Sequence, residues 1–339
     1  MKRPRLFDTL LGAKANEQTK SRNRWMIWLS VALAVFFLYL ALKNLDWISF
    51  WATLRGAQYV FLPVVLAWSS FSYLIRALRW RVLLTAEMPI SRLDAFWANM
   101  SGYLGNNILP ARIGELVRAA YANRAASLSL SFALASGLSE RLTDVFALVL
   151  LGAISLSASG ITTGMLQRAI QTMAVVAGLG AVVFLLLPGF SPLLAKIIGW
   201  IPFLNQDIKE KSLSFMEKFL LGLRALLHPR RAAAFGLYTV LIWLMDGLGI
   251  MLTGFLLHIP LTLAQAFVLL AGLGLSSAIP STPGYVGVYQ FVAVAVLGPF
   301  GVKSASALAL ILFMQIIGWL VVGGWGLAAL ARLSRNADG

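Results

Sequence analysis

Six ionisable residues in an otherwise apolar stretch have side chains suited to binding or proton chemistry: Arg112, Glu115, Arg118, Glu140, Arg141 and Asp144. The first three recur at every third residue, which places them on one face of a helix predicted to begin after Pro110. The last three lie three or four residues apart in the next apolar segment, so they can touch along one helix. Arginines can hold a phosphate through paired hydrogen bonds, and carboxylates can hold a cation or relay a proton.

The charged side chains of these two apolar segments must be shielded from lipid if the segments cross a membrane. Glu140, Arg141 and Asp144 lie about 14–20 Å into their segment at 1.5 Å per residue, where a charged group costs about 2.5–3.5 kcal/mol. They are therefore predicted to pair with each other or with the charges after Pro110. Two interpretations stay open: a polar chamber for a charged headgroup, and a buried ion-pair network that only fastens helices. Asp246, in a later apolar segment, has the same two interpretations.

The composition indicates a polytopic membrane protein. The chain has 339 residues, 59% of them hydrophobic and 12% charged, whereas a soluble domain carries about 25% charged residues. A spanning helix needs roughly 20 predominantly apolar residues. Six segments are predicted to span: 25–42, 59–76, 131–157, 170–187, 233–256 and 305–330. The first is predicted to be retained, because its apolar run is longer than that of a signal peptide.

Two further apolar regions, 95–126 and 263–302, are interrupted by the stretches NNILPARIG and SSAIPSTPG. Proline removes a backbone donor and breaks a helix, and broken backbone at membrane depth requires protein or a wet cavity around it. We predict two re-entrant helical hairpins. The alternative is two short spanning helices in each region, which gives ten helices in all. The predicted structural breaks are Pro110, Gly114, Pro280, Pro283, Gly284 and Gly287.

The two interrupted regions align at an offset of 170 residues, at which Pro110 matches Pro280 and Gly114 matches Gly284. Two predicted spans precede each region and one follows it, so the fold class is an all-α inverted repeat of three spans and one hairpin per half. Inverted-repeat transporters bind substrate where their broken helices meet. The predicted substrate site therefore adds three residues to the six ionisable ones: Asn107, Thr282 and Gln290.

Positive charges cluster in alternate connections. Seven Lys and Arg residues precede position 25, and further arginines at 76, 79, 81 and 92 are assigned to a connection at 76–94. The positive-inside rule then predicts a multi-pass protein of the cytoplasmic (inner) membrane with both termini in the cytoplasm. The chain is predicted to consist of a basic cytoplasmic segment at 1–24, one transmembrane domain at 25–331 and a cytoplasmic tail at 332–339. Within the transmembrane domain, repeat one covers 25–157, repeat two covers 170–331, and the cytoplasmic connection lies at 189–231.

The 189–231 connection contains an amphipathic pattern that favours a helix lying in the cytoplasmic interface. The alternative is a helix packed on the rest of the protein. With a net charge of +15, the cytoplasmic face is predicted to attract anionic lipids. A nucleic-acid partner is not predicted, because the sequence contains no soluble basic domain. The chain has no cysteine and only two well-separated histidines, so neither a metal site nor another cofactor is predicted.

Three blocks, NNILPARIGELVRA, ALASGLSERLTD and PSTPGYVGVYQ, resemble the transmembrane domain of lysylphosphatidylglycerol synthases and its stand-alone, flippase-like relatives. The resemblance covers nearly the whole chain and implies movement of a lipid between leaflets in cell-envelope lipid metabolism. It carries over to the site and break residues named above other than Thr282, with one departure. Gln290 stands where the family commonly has a glutamate, so a role that requires an ionised carboxylate is in doubt there. The soluble aminoacyl-transferase domain of the bifunctional synthases is not expected, so synthesis of a lysyl-lipid is not expected either.

Three functions fit these patterns. The first is a translocase whose polar chamber passes a lipid headgroup while the acyl tails stay in the bilayer. The alternative is an integral-membrane glycosyl- or phospho-transferase, in which Arg112 and Arg118 hold a phosphate and Glu140 or Asp144 is the base. It is disfavoured by the lack of a nucleotide or metal motif in the sequence. The third is a secondary transporter for a small polar solute.

Overall fold

The computed structural model of the protein describes residues 17–43, 45–109, 113–158, 186–201, 205–277, 279 and 282–338, with scattered positions between 168 and 183. All regular secondary structure in these residues is helical. The helices are α1 Glu17–Leu42, α2 Trp47–Arg55, α3 Leu62–Leu84, α4 Arg92–Ile108, α5 Gly114–Ala126, α6 Leu130–Ala158, α7 Ser191–Trp200, α8 Gln206–Ala225, α9 Pro229–Leu256, α10 Leu263–Ser276, α11 Val288–Leu297 and α12 Ser304–Asp338.

Four of the described helices are long and apolar enough to cross a membrane: Tyr59–Leu84, Leu130–Ala158, Pro229–Leu256 and Ser304–Arg335. Each contains one predicted span. A fifth span arises if Val31–Leu42 and Trp47–Arg55, bent by 90°, are taken together. The predicted span at 170–187 falls largely outside the described residues. The chain is therefore an all-α, multi-pass membrane protein.

The helix α3 is longer than predicted, and the difference concerns three arginines. The apolar run was expected to end at Arg76, but the helix continues to Leu84. Arg79 is buried within it, and Arg81 Nε donates a 2.6 Å hydrogen bond to the backbone oxygen of Ile90. The predicted end of this span at Arg76 is therefore wrong, and Arg76 and Arg79 belong to the helix, whereas Arg81 contacts the connection that follows it. The helix can carry Arg76 and Arg79 because neighbouring helices supply their partners.

The first interrupted region forms two helices, α4 and α5, whose backbones touch. A Cβ atom added at Gly114 would lie 2.1 Å from the Gly102 oxygen, and one added at Gly105 would lie 2.8 Å from the Gly114 Cα. Only glycine permits such an approach. The helices have 17 and 13 residues, so they are about 26 and 20 Å long at 1.5 Å per residue. The break itself, with Pro110 and Arg112, lies outside the described residues.

The second interrupted region forms α10 and α11, joined by a turn with left-handed backbone. Thr262 and Gln265 form a capping box that starts α10. Gly284 and Gly287 have φ values of +73° and +87°, which glycine adopts at no steric cost. A Cβ atom at Gly287 would lie 2.1 Å from an α1 backbone oxygen. These two predicted breaks are thus real interruptions, whereas Pro280 lies outside the described residues.

The amphipathic pattern of the 189–231 connection corresponds to α8, which Asn205 caps by accepting a 2.9 Å hydrogen bond from the Ile208 amide. The second half of α8 packs against α6, where Phe219, Leu220 and Leu223 are buried. Ile208, near its start, is exposed. The packed-helix alternative therefore holds for the second half of α8, and contact of the first half with the membrane interface stays a prediction.

Candidate functional site

The predicted acids of α6 are held by an arginine of α3 that sequence reasoning placed elsewhere. Arg79 Nη1 and Nη2 donate to the two carboxylate oxygens of Asp144 at 2.6 and 3.0 Å, and Nε donates to Glu140 Oε1 at 3.1 Å. The side chain of Arg79 is 1% exposed. Because these charges are out of water, each depends on its partners for compensation.

Arg118 of α5 joins the same group from the opposite side. Its Nη2 donates a 2.7 Å hydrogen bond to Glu140 Oε2, and its guanidinium lies 3.6 Å from the centre of the Trp80 ring. Trp80 Nε1 in turn donates to Ser136 Oγ at 3.0 Å. Arg118 is only 4% exposed. In this conformation Arg118 is directed at Glu140 and Trp80, not at an open chamber, which weakens the predicted phosphate clamp of Arg112 and Arg118.

Glu115 and Arg141 form a more exposed pair where α5 begins. Arg141 Nη2 and Nε donate to Glu115 Oε1 at 2.7 and 3.2 Å. The side chains of Arg141 and Glu115 are 41% and 29% exposed. The other Glu115 oxygen lies 3.6 Å from Arg118 Nη1, which agrees with the predicted position of both residues on one helix face. Pairing between the α6 charges and the hairpin charges, as predicted, is therefore present for Glu140 and Arg141.

A further ion pair joins Arg76 of α3 to Asp246 of α9. Ser72 Oγ also donates to Asp246 Oδ1 at 2.8 Å, and the Arg76 guanidinium lies 5.6 Å from the centre of the Trp243 ring. The side chains of Arg76 and Asp246 are 15% and 19% exposed. Asp246 thus has the pairing role that was one of its two interpretations.

We call the eight side chains of these ion pairs the charged cluster: Arg76, Arg79, Arg118 and Arg141 with Glu115, Glu140, Asp144 and Asp246. Four positive charges face four negative ones, so the cluster is neutral. Neutrality lowers the cost of holding so many charges at membrane depth. The pairs Glu115–Arg141 and Arg76–Asp246 are more exposed than the pairs that join Arg79 to Glu140 and Asp144.

Comparison with protein families matches residues 27–326 to the family described as the lysylphosphatidylglycerol synthase TM region. The chain belongs to this family. Comparisons with curated proteins and with solved structures gave no significant match.

The block PSTPGYVGVYQ in the second interrupted region, which contains Gln290, lies in a different environment from the charged cluster. Gln290 is 1% exposed; its Oε1 accepts a 2.7 Å hydrogen bond from the Gly287 amide, and its Nε2 donates to Gln315 Oε1 at 2.5 Å. Gln315 Nε2 donates to the Gly284 oxygen at 2.7 Å. Gln290 therefore caps the start of α11 and links α11 to Gln315 of α12 by a hydrogen bond, which is the helix-packing role expected of such amides.

Two other predicted site residues, Thr282 and Asn107, also lie apart from the contacts of the charged cluster. Thr282 Oγ1 lies 3.3 Å from the Val286 oxygen, a local turn contact, and Asn107 is half-buried near the end of α4. Within the described part of the chain, no hydrogen bond or ion pair links Thr282, Gln290 or Asn107 to the charged cluster. A substrate role for these three residues stays a prediction.

Sequence reasoning missed Arg76 and Arg79 as members of the site. A signal was present, because Ser72, Arg76, Arg79 and Trp80 recur at three- and four-residue spacing and continue the helical pattern of α3. The positive-inside rule outweighed that signal, since arginines just after an apolar run are most often cytoplasmic.

Proposed function

We propose that this protein is a membrane lipid translocase that moves a polar or charged headgroup between leaflets in cell-envelope lipid metabolism. The main support for this proposal is the charged cluster, which has no net charge and lies within the apolar helices. Arg141 lies 11 residues after the first residue of α6, about 16 Å along it at 1.5 Å per residue. Ionisable side chains at such depth face a bundle interior or a water-filled cavity and mark substrate pathways. The family name, which refers to a lipid synthase, supports a lipid as the substrate.

The helix order supports the inverted repeat. The predicted offset of 170 residues superimposes α3 on α9, α4 on α10, α5 on α11 and α6 on α12. Each half thus contains a long helix, a broken pair and another long helix. None of the four short helices reaches the roughly 30 Å of a hydrocarbon core, because the longest, α4, has 17 residues. Re-entrant hairpins therefore fit the broken regions better than pairs of spanning helices.

The packing of the two matched helices α3 and α9 supports opposite orientation of the halves. The Gln58 amide, just before α3, donates a 2.8 Å hydrogen bond to the Leu256 oxygen at the end of α9. At the other end, the Arg79 guanidinium lies 5.5 Å from the ring centre of Phe235, near the start of α9. The matched helices are thus antiparallel, as an inverted repeat requires.

Contacts along α6 support one site between the two broken regions. Arg141 of α6 binds Glu115 at the start of α5. Seven residues later, Leu148 contacts Gly274 near the end of α10, where an added Cβ atom would lie 2.2 Å from Leu148 Cδ1. These points are about 10 Å apart along the helix at 1.5 Å per residue. The turn Pro283–Tyr285 also packs against α4, so the second break adjoins the first hairpin.

The geometry disfavours the transferase alternative. Glu140 accepts hydrogen bonds from Arg79 and Arg118, and both oxygens of Asp144 accept from Arg79. All four carboxylate oxygens of Glu140 and Asp144 thus accept from arginines, so neither acid has an oxygen free to take a proton from a substrate hydroxyl in this arrangement. The translocase needs no base, since the pairs can reorganise around a headgroup without proton transfer.

The distribution of contacts supports the cytoplasmic membrane orientation with both termini inside. One end of the bundle contains the Glu87–Lys218 ion pair and Arg231, which donates to the Thr85 oxygen. The other end contains Gln58 beside His258. The basic end corresponds to the cytoplasmic side by the positive-inside rule. Its cations fit the proposed contact with anionic lipids.

The proposal is tested by purified protein in liposomes that contain a trace of fluorescent lipid in one leaflet. Lipid movement is measured by dithionite quenching, for wild type and for Arg141→Ala. Arg141→Ala should remove most protein-dependent movement while the protein elutes as a folded species, because Arg141 is the most exposed arginine of the cluster. Arg55→Gln, which changes an exposed arginine outside the cluster, is the matched control. Full movement with Arg141→Ala, or none with wild type across lipids with different headgroups, would contradict the proposal.

A further inference from the structure

The pair Arg76–Asp246 has a special position in the proposed repeat. Its two residues are 170 positions apart in sequence, which is the offset that superimposes the halves. Arg76 and Asp246 are therefore matched positions of the two halves, and they touch. Matched residues can touch only beside the pseudo-two-fold axis, which lies in the membrane plane of an inverted repeat. This pair thus lies at the level where such transporters bind their substrates.

Tyr103 of α4 neighbours residues next to both exposed ion pairs. Its ring centre is 5.0 Å from that of Tyr73, one helical turn before Arg76 on α3. The preceding residue, Gly102, touches the backbone of Gly114, just before the pair of Glu115 and Arg141. Tyr103 and Tyr73 are each half-buried. A phenol hydroxyl and two guanidinium groups together are a donor set suited to an anion with several oxygens.

The partners of the acids decide which arginines can turn toward a ligand. If Arg76 moves away, Asp246 keeps the hydrogen bond from Ser72. If Arg141 moves away, Glu115 keeps Arg118 within 3.6 Å. Among the described hydrogen bonds Asp144, in contrast, has partners only on Arg79, so release of Arg79 would strand a buried charge. Arg76 and Arg141 are therefore the exchangeable arginines, and Arg79 is fixed.

We propose that Arg76, Tyr103 and Arg141 form a phosphate-binding site at the repeat axis. Both arginines exchange their carboxylate partners for phosphate oxygens, and the Tyr103 hydroxyl donates a third hydrogen bond. This assignment rests on the proposed function and extends it, because it names the group of the lipid that is bound. The site takes Arg76 from α3, Tyr103 from α4 and Arg141 from α6.

The site is tested by native mass spectrometry of the full chain in detergent with three probes: dioleoylphosphatidic acid, dioleoylglycerol and inorganic phosphate. Wild type should bind phosphatidic acid at least about tenfold more tightly than dioleoylglycerol, because a hydrogen bond to a charged group contributes about 1.5–3 kcal/mol. The double variant Arg76→Gln/Asp246→Asn leaves no unpaired charge and should lose about tenfold in phosphatidic acid affinity. Tyr103→Phe should lose severalfold. Arg55→Gln and Tyr39→Phe, at exposed positions, should bind as wild type.

The outcomes separate this assignment from the translocase proposal. Competition by inorganic phosphate at millimolar concentration would identify free phosphate as a ligand, and its failure would identify the lipid-borne group. Unchanged phosphatidic acid binding by a folded Arg76→Gln/Asp246→Asn variant, or no preference of wild type over dioleoylglycerol, would overturn the site even if wild type moves lipid. Selective binding that the variants lose would support the site even if liposomes show no lipid movement.

Discussion

Replacement of Arg79 by glutamine should cost far more stability than replacement of any other arginine of the cluster. Arg79 is 1% exposed and is the partner of both Glu140 and Asp144. Removing one member of a buried pair typically costs about 3–5 kcal/mol, because the other charge is left uncompensated. Glu140 would retain Arg118, so most of the loss should come from Asp144. The double variant Arg79→Gln/Asp144→Asn, which is neutral, should recover a large part of it.

The assay is reversible unfolding of the purified protein in mixed micelles by titration with dodecyl sulfate, followed by tryptophan fluorescence. Arg141→Gln provides the contrast, because Arg141 is 41% exposed and its pair with Glu115 should contribute about 0.2–1 kcal/mol. The double-mutant cycle for Arg79 and Asp144 should give a coupling energy above about 1 kcal/mol. A loss below about 1 kcal/mol for Arg79→Gln, or simple additivity with Asp144→Asn, would refute the view that this arginine holds the buried centre.

Three further predictions concern orientation, helix contact and pH. A single cysteine at Lys303 should react with an impermeant maleimide in intact cells and one at Asn205 should not; labelling at Asn205 alone would reverse the proposed orientation. Gly114→Ala should destabilise by about 1–3 kcal/mol through overpacking, since its Cβ atom would lie 2.1 Å from a backbone oxygen of α4; unfolding curves that match wild type would show that the two helices can separate freely. Burial acts to raise the pKa of Glu87, but hydrogen bonds from Lys218 and from the residue before α6 outweigh it and hold that pKa below its usual value of 4.5. The ionised Glu87 therefore stabilises the fold above its unfolded-state pKa, and this contribution is lost as pH falls through the lower folded-state pKa. The difference in the free energy of unfolding between wild type and Glu87→Gln should shrink over that acidic range. A difference that stays constant with pH would count against the ion pair.

Features that depend on local spacing could be read from the sequence. The helix after Pro110 and the shared face of Glu115 and Arg118 follow from a three-residue spacing, since such residues are neighbours on a helix surface. The breaks at Gly284 and Gly287 follow from glycine, which adopts left-handed backbone without the steric cost that other residues have. The proposed offset of 170 residues between the halves also came from the sequence, because Pro110 and Gly114 recur as Pro280 and Gly284 at that interval.

Features that depend on which helices pack together could not be read in the same way. Sequence alone determined that Glu140, Arg141 and Asp144 need buried partners, since lipid offers none. Only the tertiary structure decided that Asp144 is held by Arg79, 65 residues away, and that Arg141 turns to Glu115 instead of Asp144 on its own helix. The physical reason is that each charge is compensated by whichever opposite charge the packing brings within hydrogen-bonding distance, and that choice depends on the arrangement of α3, α5 and α6 in space.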